Sequence, residues 1–326
     1  MPRCSHAPPR TAQTEIAKLV FFINNTASPS PEEVAPLLGA LQNCVSLHCM
    51  LLTGLTARAG PSLRKAALAA AESLTEACTA LARGAGTRLG EQQLMMLAGF
   101  ALEKCDAAAR APLDNRSAIG RAITLVLRQL ADATRELEEV AEAGEREANA
   151  AAADTAVKAA EVAEEGTLAS ATAGSGQAAV AVAVDGDRSE EPLTAEQLAA
   201  VKGAQGLLAA AMALVKGLVR ALLAQCDGDL SSGTCEAWES QLYHVSALAA
   251  AGDDLAAACY MAGVEDVASA AEAVATGAEL LVDELPGEPD EKASAELQAA
   301  LGKVVEAHRV LLAVLAGSAV ANHAHE

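Results

Sequence analysis

Leucine, valine and alanine recur at intervals of three and four residues along most of this chain. The clearest series lies between Ser28 and Leu81. Because an α-helix turns once in 3.6 residues, this spacing places the apolar side chains on one helical face. The series consists of Val34, Leu38, Leu41, Val45, His48, Leu52 and Leu55, followed by Leu63, Ala67, Ala70, Leu74, Ala77 and Leu81. The segment Gly60-Pro61-Ser62 interrupts it, which predicts two helices rather than one.

The first of these helices has a clear start signal. Ser30 is typical of an N-cap, Pro31 fits the first helical position, and Glu33 completes a capping box. We predict that this helix runs to about Arg58. Since the break after it is short, the two long helices are expected to be antiparallel neighbours in a helical bundle.

Three further helices are predicted in the first half of the chain by the same periodicity. One covers Thr14–Ile23, one covers Glu91–Arg110, and one follows Asp114, which we expect to cap it. The apolar face of the last helix contains Ile119, Ile123, Val126, Leu130, Ala133, Leu137 and Val140. Residues 83–86 are predicted to form a loop.

The composition changes after this helix. Acidic residues and alanine dominate from Glu136 to Glu165, and a segment rich in glycine and serine follows. We interpret 145–192 as an acidic linker, with its early part either separate from the preceding helix or a continuation of it. Such a segment is either a solvated spacer or a recognition segment.

A second group of four helices is predicted after the linker. Thr194 and Gln197 form a second capping box, Asp227–Gly233 is expected to be a loop, and a bend is expected near Gly252. Pro286-Gly287-Glu288-Pro289 separates the last two helices.

The predicted fold is all-α, because β-branched residues with period-two alternation are nearly absent. Two helical bundles, with about five plus four helices, are expected on either side of the acidic low-complexity linker. The predicted bounds are 1–10 for a disordered N-terminus, 11–144 for the first bundle, 145–192 for the linker, 193–318 for the second bundle and 319–326 for a tail.

Composition and charge restrict the partners. Hydrophobic residues make up 52% of the 326 residues, whereas aromatic residues make up only 2%, so leucine, valine and alanine must build the core. The formal net charge of −20 disfavours direct binding to nucleic acid or to an anionic membrane. Basic proteins or basic helices are the partners that this charge favours. Alternatively, the acidic composition reflects only genome bias and solubility.

The cysteines and the N-terminus suggest an intracellular protein. The eight cysteines form no C-x-x-C pair and are interpreted as small buried residues in a reducing compartment. They are Cys4, Cys44, Cys49, Cys78, Cys105, Cys226, Cys235 and Cys259. No signal peptide is visible in Met1–Pro9, and the longest apolar run, Leu207–Ala224, contains Lys216 and Arg220. We therefore expect a soluble protein of the cytoplasm and nucleus.

Sequence signals for catalysis or for cofactor binding are missing. No phosphate-binding glycine motif follows a strand. Glu306 and His308 are two residues apart, which does not match the Glu-x-x-His pairs of di-iron bundles. We predict no catalytic, cofactor-binding or metal-binding residue, and we assign no partner-binding residue.

Other candidate ligands are weak. Cys226 and Cys235 flank a loop without partners at zinc spacing. His323 and His325 form only a loose pair in the tail. His48, like His308, lies on an apolar face, and we interpret both as interior histidines with satisfied hydrogen bonds rather than as ligands or bases.

The order of several short motifs resembles the cyclin-D-binding protein family, also called GCIP-like proteins. The resemblance depends on Lys18–Phe22 leading into Ser28–Glu32, and on Gly60–Lys65, which is similar to the family's Gly-x-x-Leu-Arg-Lys helix start. It continues with Cys105 and with Pro112–Arg116, which is similar to a Pro-x-Asp-Asn-Lys helix entry. It is strongest up to residue 140.

The resemblance implies a fold similar to vinculin- and catenin-like bundles. It also implies a non-enzymatic protein that binds D-type cyclins and helix-loop-helix transcription regulators and restrains cell-cycle progression. The cyclin contact in this family is attributed to the C-terminal half, which corresponds to Thr194–Gly317 here. No individual contact residue is transferred. The chain begins later than similar proteins, which leaves open a first helix before it.

Two other functions fit the sequence. A vinculin-like cytoskeletal or adhesion scaffold has the same architecture, although the net charge of −20 of this chain disfavours binding to actin, which is itself acidic. A bundle enzyme for a small molecule would need a polar pocket with a shifted titratable group. Three Arg-x-Leu triplets, at 128–130, 135–137 and 220–222, match a cyclin-docking pattern, but each leucine belongs to a predicted buried helix face.

Overall fold

The computed structural model describes residues 7–26, 29–56, 59–87, 89–165, 193–225, 230–261, 264–287 and 291–323. Within these residues the secondary structure consists of nine α-helices without a strand, which confirms the all-α prediction. Five helices precede residue 166 and four follow residue 192, as predicted. They are α1 (Ala7–Asn25), α2 (Pro31–Leu55), α3 (Pro61–Gly86), α4 (Glu91–Ala109), α5 (Asn115–Glu165), α6 (Ala195–Ala224), α7 (Ser232–Met261), α8 (Val264–Asp283) and α9 (Glu291–His323).

The predicted loop at 83–86 is wrong, because α3 continues to Gly86. The last turn of α3 packs closely on its neighbours at Gly84. A methyl group placed on Gly84 would lie 2.7 Å from Leu97 Cδ1 and 3.1 Å from Leu89 Cδ1. Tertiary packing therefore keeps a glycine-containing turn helical against its weak intrinsic propensity.

Other boundaries differ from the sequence interpretation. Helix α1 runs from Ala7 to Asn25, whereas the predicted helix covers Thr14–Ile23, so residues 7–10 of the predicted disordered N-terminus are helical. Of the two alternatives for the early part of the predicted linker, the structure shows the continuation, because α5 includes 145–165. Alanine has the highest helix propensity, so the alanine-rich composition there favours continuation of the helix. The start of α7 at Ser232 places the last two residues of the predicted 227–233 loop in a helix. The predicted bend near Gly252 stays a prediction.

The predicted helix caps are confirmed. Ser30 Oγ accepts a hydrogen bond from Glu33 N at 3.3 Å, and Ser30 N donates to Glu33 Oε2 at 2.9 Å. Thr194 and Gln197 make the same reciprocal pair at 3.1 and 2.8 Å. Asp114 Oδ1 accepts from Ser117 N at 2.7 Å at the start of α5. Each cap satisfies N–H groups that the helix itself leaves unpaired.

Helices α1 to α4 form a four-helix bundle in which each helix packs against its sequence neighbours and α1 also packs against α4. The core of this bundle consists of small and medium-sized apolar side chains contributed by all four helices. Those that are at most 2% exposed include Ile16, Leu19, Leu41, Leu74, Leu81 and Leu94. The three-and-four spacing read from the sequence therefore identified the buried face of α2 and α3.

A residue distant in sequence caps the start of α3. Gly60 is the N-cap and has no side chain to accept from the helix. Glu239, on α7, supplies the missing acceptors: Ser62 N donates to its Oε1 at 2.8 Å, and Ser62 Oγ donates to its Oε2 at 2.7 Å. Gly60 N donates to Asn115 Oδ1 at 2.7 Å. This junction therefore connects the α2–α3 turn to the beginnings of α5 and α7.

By packing, the described residues divide into two compact units. Unit 1 contains those within Met1–Leu125, Val219–Tyr243 and Leu285–Pro289. Unit 2 contains those within Val126–Leu218, His244–Glu284 and Asp290–Glu326. Each unit thus takes residues from both sides of the predicted linker. The predicted sequence bounds 11–144 and 193–318 stay a prediction, because packing does not test which segments fold independently.

Unit 2 is built on close helix approaches at small residues. A methyl group placed on Gly203 would lie 2.9 Å from Leu311 Cδ1, and one on Gly252 would lie 2.7 Å from Leu130 Cδ2. Leu130 and Leu311 are themselves fully buried. Small residues therefore allow close packing where larger side chains would hold the helices apart.

The only tryptophan is a buried anchor of unit 1. The Trp238 side chain is fully buried, and its Nε1 donates to Gln225 Oε1 at 2.7 Å. Gln225 Nε2 in turn donates to the backbone oxygen of Pro286. The next residue, Gly287, has φ +72°, a conformation that favours glycine. The buried indole N–H is therefore satisfied through a loop that requires this glycine.

Candidate partner-binding grooves

A groove in unit 2 has a volume of about 1110 Å³. Its walls come from α5 between Glu136 and Glu147, from the start of α6, and from α7 between Asp253 and Tyr260. The lining apolar residues include Val140, Leu193, Ala256 and Ala257. We call this cavity the acidic groove, because its charged lining residues are carboxylates.

The position of this groove follows from the local sequence. The acidic residues of α5 lie at helical spacing beside the buried series that continues through Leu137. Gly144 lets the chain ahead of α6 approach α5, since a methyl group placed on Gly144 would lie 3.0 Å from Leu193 Cδ1. The contact between Gly144 and Leu193 therefore bounds the groove on one side, and α7 forms the opposite wall.

The charged side chains that line the acidic groove are the carboxylates of Glu136, Glu147 and Asp253. Burial raises the pKa of the Asp253 carboxyl above its usual value, and the nearby carboxylates of Glu136, Asp254 and Asp132 raise it further. Tyr260 lies on the same wall, and its hydroxyl donates to the backbone oxygen of Glu136 at 3.2 Å. Burial and the neighbouring carboxylates raise the pKa of Tyr260 as well.

A second groove lies between α2 and α3 in the four-helix bundle, with a volume of about 710 Å³. Leu38, Val45 and Cys49 line one side, and Thr75 and Thr79 line the other. Cys49 Sγ lies 3.4 Å from Thr75 Oγ1 across this groove. The groove thus combines apolar side chains with neutral polar groups and one charged residue, Arg83.

The outer face of α2 is unusually apolar. Leu47, Met50 and Leu51 are 49%, 64% and 51% exposed, and no charged residue occurs from Val34 to the end of the helix. By length and composition alone, α2 and α6 are each apolar enough to cross a membrane, with 22% and 50% of the relevant stretch buried. Core helices of soluble proteins meet the same criterion, so the expectation of no membrane partner stays a prediction.

The two candidate histidines have different environments. His48 is 6% exposed, and neither ring nitrogen has a hydrogen-bond partner among the described residues. His48 is therefore interior, as predicted. The prediction that its ring nitrogens have hydrogen-bond partners is wrong. Burial lowers the pKa of this imidazole. His308 Nε2 lies 3.3 Å from Glu272 Oε2, without the angles of a hydrogen bond.

The described cysteines form no disulfide, and all six are buried or half-buried. Cys259 lies on the wall of the acidic groove, and burial raises the pKa of its thiol to about 11. Cys78 and Cys105 face each other between α3 and α4 in the bundle core. Cys4 and Cys226 lie outside the described residues, as does His325.

Among the described residues, no group of three or more His, Cys, Asp or Glu side chains is arranged to hold a metal ion. The sequence interpretation left the partner-binding residues unassigned, and it missed the acidic groove. A signal was nevertheless present, since Glu136, Val140, Ala143 and Glu147 recur at intervals of three and four residues on α5. Their opposite wall, on α7, was not visible from the pattern.

The described residues form an all-helical bundle protein with surface grooves between its helices. Residues 10–143 match the sequence model of the family described as Grap2 and cyclin-D-interacting, N-terminal. This match of the N-terminal region confirms the resemblance to GCIP-like proteins. That family is one of cyclin-interacting proteins and not a known family of enzymes. A comparison with curated proteins finds no match.

Proposed function

We propose that this chain is a non-enzymatic interaction protein that binds D-type cyclins and helix-loop-helix transcription regulators. The observation that supports this proposal is the family match over residues 10–143, because the family is named for its interaction with cyclin D. Through these partners the chain would restrain cell-cycle progression and transcription. Its proposed location is the cytoplasm and the nucleus, where such partners occur.

The helical architecture supports the same proposal. Helical bundles receive partner helices in the grooves between their own helices. The described residues provide two such grooves, of about 1110 and 710 Å³. The net charge of −20 favours a basic partner surface and would accelerate association with it at low salt.

Calorimetry with the full chain and a purified D-type cyclin from the same organism tests the first partner. We expect saturable binding that is at least tenfold tighter than binding of the cyclin to an unrelated helical bundle of similar acidity. Equal affinity for the two bundles would contradict the proposal. A helix-loop-helix regulator is tested separately in the same way.

Cosedimentation with filamentous actin separates this function from a cytoskeletal scaffold. We expect the full chain to remain in the supernatant at salt concentrations where cyclin binding is measured. Sedimentation with the filaments, together with failure to bind cyclin, would favour the scaffold. The proposed location is tested by imaging a fluorescent fusion, and exclusion from the nucleus would contradict the proposed nuclear role.

A further inference from the structure

The acidic groove has the dimensions of a helix-binding site. Its volume of about 1110 Å³ exceeds the roughly 300–1,000 Å³ typical of small-molecule sites. The wall formed by α5 from Glu136 to Glu147 is about 17 Å long at a rise of 1.5 Å per residue. A partner helix of about eleven residues, or three turns, would lie along it.

The lining of this groove suits the apolar face of such a helix. Val140 and Leu193 are only half-buried, so apolar surface remains available at the groove. Ala143 and Ala257 are small and exposed on the facing walls, which allows another backbone to approach closely. The groove therefore offers apolar surface without large side chains that block it.

The charged residues around the groove select the partner's charge. Glu136, Glu147 and Asp253 line it and are exposed, and no lysine or arginine is found among the described residues that line it. Two described cations on α5 and α6 are paired with carboxylates that do not line the groove, since Arg135 binds Asp132 at 3.0 Å and Lys202 binds Glu145. The negative charge of the lining is therefore not neutralised within the groove.

An aromatic side chain adds a further contact. Tyr260 is 50% exposed on the α7 wall of the groove. An arginine guanidinium can stack on an exposed tyrosine ring while it pairs with a nearby carboxylate. Among lysine and arginine, this arrangement favours arginine at one position of the partner.

The α2–α3 groove and the outer face of α2 do not select an occupant in this way. The α2–α3 groove is lined mainly by apolar and neutral polar groups, with Arg83 as its one charged lining residue. The α2 face has no charged residue after Glu33. Apolar surface alone fits many occupants, whereas the acidic groove combines apolar surface with a single sign of charge.

We propose that the acidic groove is the docking site for a basic amphipathic helix of a partner protein. Leucine-type side chains of that helix contact Val140 and Leu193, and its lysine or arginine side chains pair with Glu136, Glu147 and Asp253. The inference deepens the proposed function, because it names the surface that holds a protein partner and the chemistry of the segment held.

The test uses the full chain and a fluorescein-labelled 18-residue peptide. The peptide has leucine at positions i, i+3, i+4 and i+7 and lysine or arginine on both flanks of that face. Fluorescence anisotropy at 50 and 300 mM NaCl gives the dissociation constant. We expect binding that weakens several-fold at the higher salt, since the ion pairs are at the surface. A peptide with glutamate in place of each lysine and arginine should not bind.

Matched charge variants test the location. The variant Glu136→Gln/Glu147→Gln/Asp253→Asn should bind the basic peptide about tenfold more weakly than the wild type. The control Glu72→Gln/Glu76→Gln/Glu236→Gln removes the same net charge at exposed positions outside this groove and should bind normally. Equal weakening by both variants would show a nonspecific charge effect and overturn the proposal.

A steric variant tests the apolar part. Ala257→Trp places a large side chain in the groove at an exposed position, and we expect it to weaken peptide binding at least tenfold. Circular dichroism and thermal unfolding check that it folds. If Ala257→Trp folds normally and binds the peptide as the wild type does, the groove is not the docking site. The alternative occupant of the groove is a second copy of this chain, and sedimentation velocity tests it. If the chain forms a dimer and the peptide dissociates that dimer, the proposal is overturned.

The outcomes separate this proposal from the cyclin proposal. If the peptide binds with the expected variant pattern but cyclin does not bind, the docking site stands and the cyclin assignment fails. If cyclin binds the wild type and both triple variants equally, and the peptide does not distinguish the variants, the cyclin assignment stands and the docking site fails.

Discussion

The cap that Glu239 provides for α3 leads to a sharp stability prediction. The variant Glu239→Ala removes both acceptors from Ser62 and leaves the first turn of α3 without a side-chain cap. The affected groups are half-buried, so water replaces the lost acceptors only in part. The variant should therefore destabilise unit 1 without changing its helical content much.

The magnitude follows from the two hydrogen bonds. A bond to a charged group contributes about 1.5–3 kcal/mol, and loss of an N-cap costs about 0.5–2 kcal/mol. Since these values overlap and water compensates partly, we expect Glu239→Ala to lower the free energy of unfolding by about 2–3 kcal/mol. For a cooperative unit of roughly 150–250 residues this corresponds to a fall in Tm of about 4–12 °C.

The assay is urea unfolding of the full chain followed by circular dichroism and by the fluorescence of Trp238, which is buried in the same unit. Ser62→Ala removes only the hydroxyl bond to this carboxylate and should cost about 1.5 kcal/mol, the lower end of the range for a bond to a charged group. The double variant with Glu239→Ala should be less destabilised than the sum of the two, because both changes remove the same bond.

The control is Glu236→Ala, which removes an exposed glutamate from the same helix. It should change stability by no more than about 0.5 kcal/mol. If Glu239→Ala were also within about 0.5 kcal/mol of the wild type, the capping role of Glu239 would be refuted.

Three other measurements test other contacts. Gly60→Ala should cost about 1–3 kcal/mol in urea unfolding, because the added methyl would lie 2.6 Å from Cys235 Sγ, and Cys235→Ala should relieve part of that cost. The control Gly39→Ala adds a methyl that meets nothing within 4 Å and should stabilise the protein by about 0.5–1 kcal/mol. Equal effects of Gly60→Ala and Gly39→Ala on the free energy of unfolding would contradict the close packing at Gly60. His48→Leu should stabilise at pH 7.5 by about 1–3 kcal/mol, since it removes two unpaired buried nitrogens. Because burial lowers the pKa of His48 in the folded state, the His48 imidazole of the unfolded state is protonated first as the pH falls. The wild type should therefore lose further stability relative to His48→Leu as the pH falls through about 6.5. Parallel profiles of stability against pH for the two proteins would contradict this. Asp253→Asn should raise the Tm at pH 7, because burial and the neighbouring carboxylates raise the pKa of Asp253 and so destabilise its charged form. The effect should be smaller near pH 4, and a lower Tm of the variant at pH 7 would contradict this reasoning.

The sequence predicted the helices because their start signals and periodicity are local. Ser30, Asp114 and Thr194 were identified from residues within three positions of each cap, and the structure contains all three caps. The error at 83–86 has the opposite origin. Glycine predicts a break, but contacts of Gly84 with Leu97 and Leu89 keep that turn helical, and such contacts cannot be read from neighbouring residues.

The candidate site was less predictable than the fold. Glu136 and Glu147 belong to a stretch whose composition suggested a transition to a linker, whereas the structure continues α5 through it. Asp253 lies more than a hundred residues away, and nothing local connects it to α5. The capping role of Glu239 was hidden for the same reason. Long-range pairing of polar groups leaves no periodic trace in a single sequence.

The division of each unit between distant segments affects how binding experiments on this chain should be designed. Splitting the protein within 166–192 would remove Trp238 and Glu239 from the fragment that carries α1 to α4, and would remove Leu130 and Leu137 from the other fragment. Both fragments would then expose apolar surface that the intact chain covers, and such surface adheres to many proteins. Deletion mapping would consequently mistake nonspecific binding to exposed core residues for partner binding. Partner surfaces are therefore better located by point substitutions in the full-length chain.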